Sequence, residues 1–142
     1  MAYNESLIYQ IIELNDENEF KNRKIVVAKE LLKNVINDCD IKNYKIINEI
    51  KGESFRGTIC THPFSNLGFN YDVPMLEARF VTIEQGTGIV HCAPSHGPDD
   101  FNLCLKNNIS SSYTVDNAGL YTKEVPYFNG SHSRRIIIAM IK

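Results

Sequence analysis

Nothing in this chain alternates strand-like and helix-like segments as a parallel sheet with crossover helices requires. Its apolar runs are short, and Gly, Pro, Asn or Asp interrupts each within a few residues, which is how strands joined by tight turns read. Leu7–Leu14 and Lys24–Val27 are rich in β-branched residues and read as strands on either side of the polar turn Asn15–Asn18. Tyr44–Ile50, Gly57–His62, Asp72–Leu76, Ala78–Ile83, Gly88–Cys92 and Ser112–Val115 add further extended segments. Only two stretches suit a helix. Apolar residues at 28, 31, 32, 35 and 36 predict an amphipathic helix over Ala28–Ile36. A second helix is predicted after Gly97-Pro98, with Asp99 and Asp100 at its start and Phe101, Leu103, Cys104 and Leu105 as its apolar positions. Turns are expected at Asp116–Gly119 and Tyr127–Gly130, and an apolar strand or helix over Arg134–Lys142. Many short strands with two helices predict a mixed α/β fold, β-rich and barrel-like, forming a single domain over residues 1–142.

Composition narrows the function classes. A net charge of −2 gives no basic excess, so any contact with RNA has to be local rather than driven by bulk electrostatics. The longest apolar run, Ile136–Ile141, is far too short to span a bilayer, and no membrane partner is expected. Cys39, Cys60, Cys92 and Cys104 show no CxxC spacing, so neither a metal nor another cofactor is expected. With no signal peptide in view, reduced thiols and a cytoplasmic location are the expectation.

The chemistry concentrates between Gly86 and Phe101, in GTGIVHCAPSHGPDDF. Two histidines, His91 and His96, and two carboxylates, Asp99 and Asp100, crowd the turns after the short apolar run Ile89-Val90. Polar groups gathered on Gly- and Pro-punctuated backbone at a strand end are a common way to present a functional site. A carboxylate at a helix start can cap that helix or pair with a ligand ammonium, and the residues alone leave both roles open for Asp99 and Asp100. Ser95 beside His96, or Cys92 beside His91, makes a poor nucleophile–base pair, because adjacent side chains on extended backbone point to opposite faces. The Gly86-Thr87-Gly88 turn lacks the other glycines of a dinucleotide fingerprint and the Lys of a phosphate loop; it suits close approach of backbone to a ligand or neighbouring strand.

This segment resembles the signature of the editing domain inserted into isoleucyl-tRNA synthetases. Other segments agree in order and spacing: Val27–Leu32 with the AKELL helix, Lys51–Gly57 followed by His62-Pro63-Phe64 with the HPF element, Val115–Gly119 with the VDDxG turn, and Phe128-Asn129-Gly130 with the FxG stop. The likeness covers roughly residues 2 to 132. Editing domains of valyl- and leucyl-tRNA synthetases share the GTG turn and an aspartate near Asp100 but agree less around His91–Pro94, so the isoleucyl type is favoured.

The resemblance implies a barrel-like mixed α/β domain and a reaction: hydrolysis of valyl-tRNA for isoleucine, or of valyl-adenylate. A synthetic pocket rejects valine by one methylene only, about 1–3 kcal/mol, so a second sieve must remove the error; isoleucyl-tRNA synthetases are the standard illustration of that double sieve. By resemblance Asp100 would hold the α-ammonium of the mischarged amino acid. His91 would limit side-chain size, and Gly86, Thr87 and Gly88 would shape the backbone near the terminal adenosine. Water would attack without a metal, and Asp99 and His96 would serve as cap and scaffold. The implied partners are the acceptor end of tRNA and its aminoacyl-adenosine moiety, with an oligomer as a further expectation. The family's Thr-rich wall has no counterpart before Thr58, and the segment after Ser131 departs from the pattern. The sequence reading is therefore of a domain truncated at both ends, with weak or no hydrolysis alone and no aminoacylation activity, since no HIGH-type or KMSKS-type motif occurs. A free-standing hydrolase and a non-catalytic binding module are the alternatives.

Overall fold

In a computed structural model, which describes residues 1–133, the elements run β1 (Ala2–Tyr3), β2 (Ile8–Leu14), β3 (Lys24–Ala28), α1 (Leu32–Asp38), β4 (Tyr44–Lys51), β5 (Ile59–Thr61), β6 (Asp72–Pro74), β7 (Leu76–Glu77) and α2 (Pro98–Lys106). Short 3-10 turns cover Lys29–Leu31, Gly52–Phe55 and Ser65–Leu67. The fold is mixed α/β, with two α-helices among the described residues. Two compact units are formed: Met1–Thr58 with Pro74–Cys92, and Ile59–Val73 with the described residues that follow Cys92. The tail expected as strand or helix over Arg134–Lys142 lies outside the described residues.

The first unit is built on an antiparallel sheet ordered β3-β2-β4. Strand β2 is central because its sequence can satisfy two neighbours: Tyr9 pairs with Ala28 and with Ile50, and Gln10 with Val27 and with Glu49. The register against β4 slips between Ile11 and Ile12, which face Asn48 and Ile46 and leave Ile47 as the extra residue of a bulge. Ile12, Leu14 and Leu32 form a buried cluster, joined by Ile25, Ile36 and Ile41. A Leu-sized side chain buried there contributes roughly 1.5–3 kcal/mol, enough to seat so short a helix on the sheet. Strand β1 pairs in parallel with β7, and Ala2 forms a single antiparallel bridge with Val90.

The helix expected from Ala28 starts later. Ala28 is still in β3 opposite Tyr9, and its N–H donates to Thr87 O at 2.8 Å, so one tight turn intervenes before α1 begins. Ala78–Ile83 is a turn rather than the expected strand. Val81 N–H donates to Ala78 O, and the Asn4 side-chain amide donates to Val81 O. Those bonds satisfy groups that a neighbouring strand would otherwise take, and the buried residues Ala78 and Val81 are three apart, not two. Gly88–Cys92 likewise shortens from a strand to the one bridge at Val90.

In the second unit β5 pairs with β6, and an aromatic cluster gathers around the buried Phe69. His62 stacks on Phe69 with ring centroids 4.8 Å apart and planes at 14°. Phe64, Tyr71 and Phe128 close around the pair, with Tyr127 edge-on to Phe128 at 5.0 Å. Stacked and edge-on pairs suit the ring quadrupoles, and large rings fill a unit with little regular structure. The three sheets have two, three and two strands, and among the described residues none closes into a barrel. The mixed α/β expectation holds without a closed barrel among these residues: pairings of two residues, as in β1–β7, and single bridges do not complete a ring of strands. No helix among the described residues is long and apolar enough to cross a membrane.

Candidate functional site

The first unit holds the GTG turn and His91. Gly86 and Gly88 have φ of 73° and 76°, the left-handed region that an L side chain resists. Gly88 is also forced by contact: a Cβ there would lie 2.5 Å from Ala28 Cβ and 3.4 Å from a Tyr9 ring carbon. Thr87 is held twice. Its carbonyl accepts from Ala28 N–H, and its Oγ1 donates to Ile89 O at 3.2 Å and accepts from Ile89 N–H at 3.4 Å. Tyr9 donates its hydroxyl to Gly88 O at 2.8 Å. Val90 then exchanges two backbone bonds with Ala2, at 2.7 and 2.9 Å. His91 follows that anchored pair, exposed and with no hydrogen bond to its ring among the described residues.

A cleft of about 480 Å³ runs along this turn, between α1 and residues Glu84–Thr87. Asn34, Asn37 and Gln85 line it with amides, and Asp38 and Glu84 with carboxylates. The sequence reading included Gly86 and Thr87 but missed the amides. The signal available was thin: Asn34 and Asn37 are three apart on a helix and so share a face, which the apolar periodicity of the same helix obscured.

The second unit holds Asp100. Gly97, in an extended conformation, is the N-cap of α2, with no side-chain capping bond, and Pro98 stands at the helix start. The cap expected of Asp99 is therefore not made; Asp99 is exposed in the first turn. Asp100, also in the first turn and half-buried, accepts Ala93 N–H on Oδ2 at 3.1 Å. The carboxylate thus ties the 93–97 loop to the helix, and the helix dipole favours its charge. Its Oδ1 makes no hydrogen bond among the described residues, which leaves one oxygen for an ammonium group. Behind it, burial pushes the Cys104 thiol above its ordinary pKa, with the Asp100 charge adding to the effect. Ser95 pairs with Ser111 through their hydroxyls, so it is engaged away from His96. Among the described residues no group of three His, Cys, Asp or Glu side chains could hold a metal.

Comparison with known proteins gives this geometry a context. The family model described as leucyl-tRNA synthetase, editing domain, matches residues 9–132. The chain is 63% identical over 145 residues to the isoleucine–tRNA ligase of Pelagibacter ubique (strain HTCC1062), covering all of this chain and 16% of that protein. It is 35% identical over 136 residues to the isoleucine–tRNA ligase of Gluconobacter oxydans (strain 621H), covering 93% of this chain and 14% of that protein. The chain therefore spans about one-sixth of the length of these curated relatives or less. Among solved structures, the crystal structure of GlLeuRS-CP1 superposes with a TM-score of 0.59 over 99% of this chain and 74% of that one, at 16% identity, a likeness of fold. Matched over nearly its whole described length, the chain belongs to the leucyl-tRNA synthetase editing-domain family.

Proposed function

We propose that this chain is the editing module of an isoleucine–tRNA ligase and hydrolyses valyl-tRNA for isoleucine, with valyl-adenylate as a second substrate. The observation that carries this reading is the 63% identity, over the whole chain, to one such ligase. In the reaction water adds to the ester carbonyl and the bond to the ribose oxygen breaks, releasing valine and the free tRNA end. Asp100 holds the valine ammonium on the oxygen not engaged with Ala93. That charge-assisted bond orients the ester for attack, and orientation is where such a site gains its rate. His91, whose ring is unengaged, limits side-chain size. The GTG turn presents backbone to the terminal adenosine, a role the adjoining amide-lined cleft supports.

The test is deacylation of valyl-tRNA for isoleucine by this chain, beside its Asp100→Ala variant. Turnover by the chain alone is expected to be weak and to fall toward the uncatalysed rate in the variant, since the ammonium loses its charged partner. Equal turnover in both overturns the role of Asp100. Binding of a valine–adenosine mimic with no turnover in either points instead to a non-catalytic module.

A further inference from the structure

We propose that Tyr9 is a positioning residue for His91, its hydroxyl fixing the Gly88 carbonyl and so setting where the chain delivers the imidazole. The inference rests on the reading of His91 as the size-limiting residue. Tyr9 is fully buried in the central strand, where a phenol has to find a polar partner. Both its partners are backbone groups outside the sheet: it accepts Asn4 N–H at 3.0 Å and donates to Gly88 O at 2.8 Å. The ring is held independently of the hydroxyl, edge-on to Phe55 at 5.0 Å and 80°. A phenylalanine would fill the same space and pair equally well in β2, so packing gives no reason for the oxygen. What the oxygen adds is a tie to a buried glycine whose carbonyl would otherwise lack this partner.

The tie acts at short range. Before His91, Gly88 is held by Tyr9, Ile89 by the Thr87 hydroxyl and Val90 by its two bonds to Ala2. Releasing the first frees the Gly88 carbonyl and leaves the left-handed turn held through the longer bonds of the Thr87 hydroxyl to Ile89, at 3.2 and 3.4 Å, so the backbone that leads to the imidazole can shift. A sieve that separates side chains differing by one methylene is sensitive to displacements well below the length of that methylene.

Tyr9→Phe in the full chain tests this with two readouts. The NMR resonances of the His91 ring should shift, and the preference for a non-hydrolysable valyl-adenosine analogue over its isoleucyl counterpart should fall roughly three- to tenfold, the range of one net hydrogen bond. In a His91→Ala background the same change should leave the preference unaltered. A purely structural role would weaken both analogues equally. Unmoved His91 resonances, or an unchanged preference in Tyr9→Phe, overturn the proposal. If the unsubstituted chain binds neither analogue, the functional reading fails, and the His91 resonances alone decide whether Tyr9 positions it.

Discussion

The two units place their candidate residues by opposite means. In the first, His91 contributes nothing to its own placement: backbone bonds from Ala2 and Ala28, the Tyr9 hydroxyl and two left-handed glycines fix the chain that carries it. In the second, Asp100 is itself part of the scaffold, since its carboxylate bonds the loop that precedes its helix. A substitution at His91 therefore reads out chemistry alone, whereas one at Asp100 mixes chemistry with the integrity of the loop. Both units bury aromatic rings, Tyr3 and Tyr9 beside Phe55 in the first and Phe69 beside His62 in the second, but the first adds an aliphatic cluster around Ile12 and Leu32.

The contrast breaks most readily at Phe69. It is buried, and its ring meets His62, Phe64, Tyr71 and Phe128. Phe69→Ala should cost about 3–5 kcal/mol in urea unfolding, the range for a core aromatic. A loss below about 1 kcal/mol would mean that the cluster is a surface feature and not the core of its unit. Next in size is Gly88→Ala, where the 2.5 Å approach to Ala28 Cβ adds to the left-handed strain, for a combined loss of about 3 kcal/mol. Gly86→Ala has the same backbone strain but no atom within 4 Å of the new Cβ, so about 1–2 kcal/mol is expected. Equal losses at the two glycines would remove the close approach as a cause.

Asp100→Asn sharpens the comparison at smaller cost. The amide oxygen can still accept Ala93 N–H, but the charge at the start of α2 is gone. Stability should fall by about 0.5–1 kcal/mol. Deacylation should fall as far as in Asp100→Ala, because an amide cannot pair with an ammonium as a carboxylate does. If Asp100→Asn instead keeps most of the activity, the residue acts through the loop.

What was legible in the sequence follows the same division. The strands β2, β3 and β4 were readable because β-branched residues cluster between polar turns, though not their pairing, and α2 because Gly97, Pro98 and two acids announce a helix start. The His62-Pro63-Phe64 element and Phe128, read only as motif fragments, turn out to supply the aromatic cluster of the second unit. Illegible were the features that depend on tertiary hydrogen bonds. Ala78–Ile83 alternates in sequence, yet Asn4, more than seventy residues away, takes up the Val81 carbonyl. Ile89-Val90 has strand-forming residues, yet among the described residues Val90 makes a single bridge, to Ala2. The GTG turn and Asp100 could be singled out by residue type, but no periodicity reveals that Tyr9 reaches Gly88, since a buried tyrosine in a strand looks like any other core residue.

The smallest expected effect lies at the far end of the first unit. Asp16 ties the β2–β3 turn to the start of β4: Oδ2 accepts Lys42 N–H at 2.9 Å, and Oδ1 accepts the Asn43 backbone and side-chain N–H groups at 2.9 and 3.0 Å. These bonds, the Lys42 backbone donor first among them, favour the carboxylate and hold its pKa below the ordinary 3.8. Because the folded value is lowered, the stabilisation is complete above the unfolded pKa and disappears as pH falls through the folded one. Asp16→Asn should therefore flatten the decline of the urea midpoint between about pH 5 and pH 2 while changing little at neutral pH beyond the loss of a charged acceptor. An acid limb as steep in the variant as in the unsubstituted chain would assign the acid sensitivity elsewhere. Glu49 is the next group to examine, its carboxyl lowered by hydrogen bonds first from Lys29 and then from Gln10 on the same sheet.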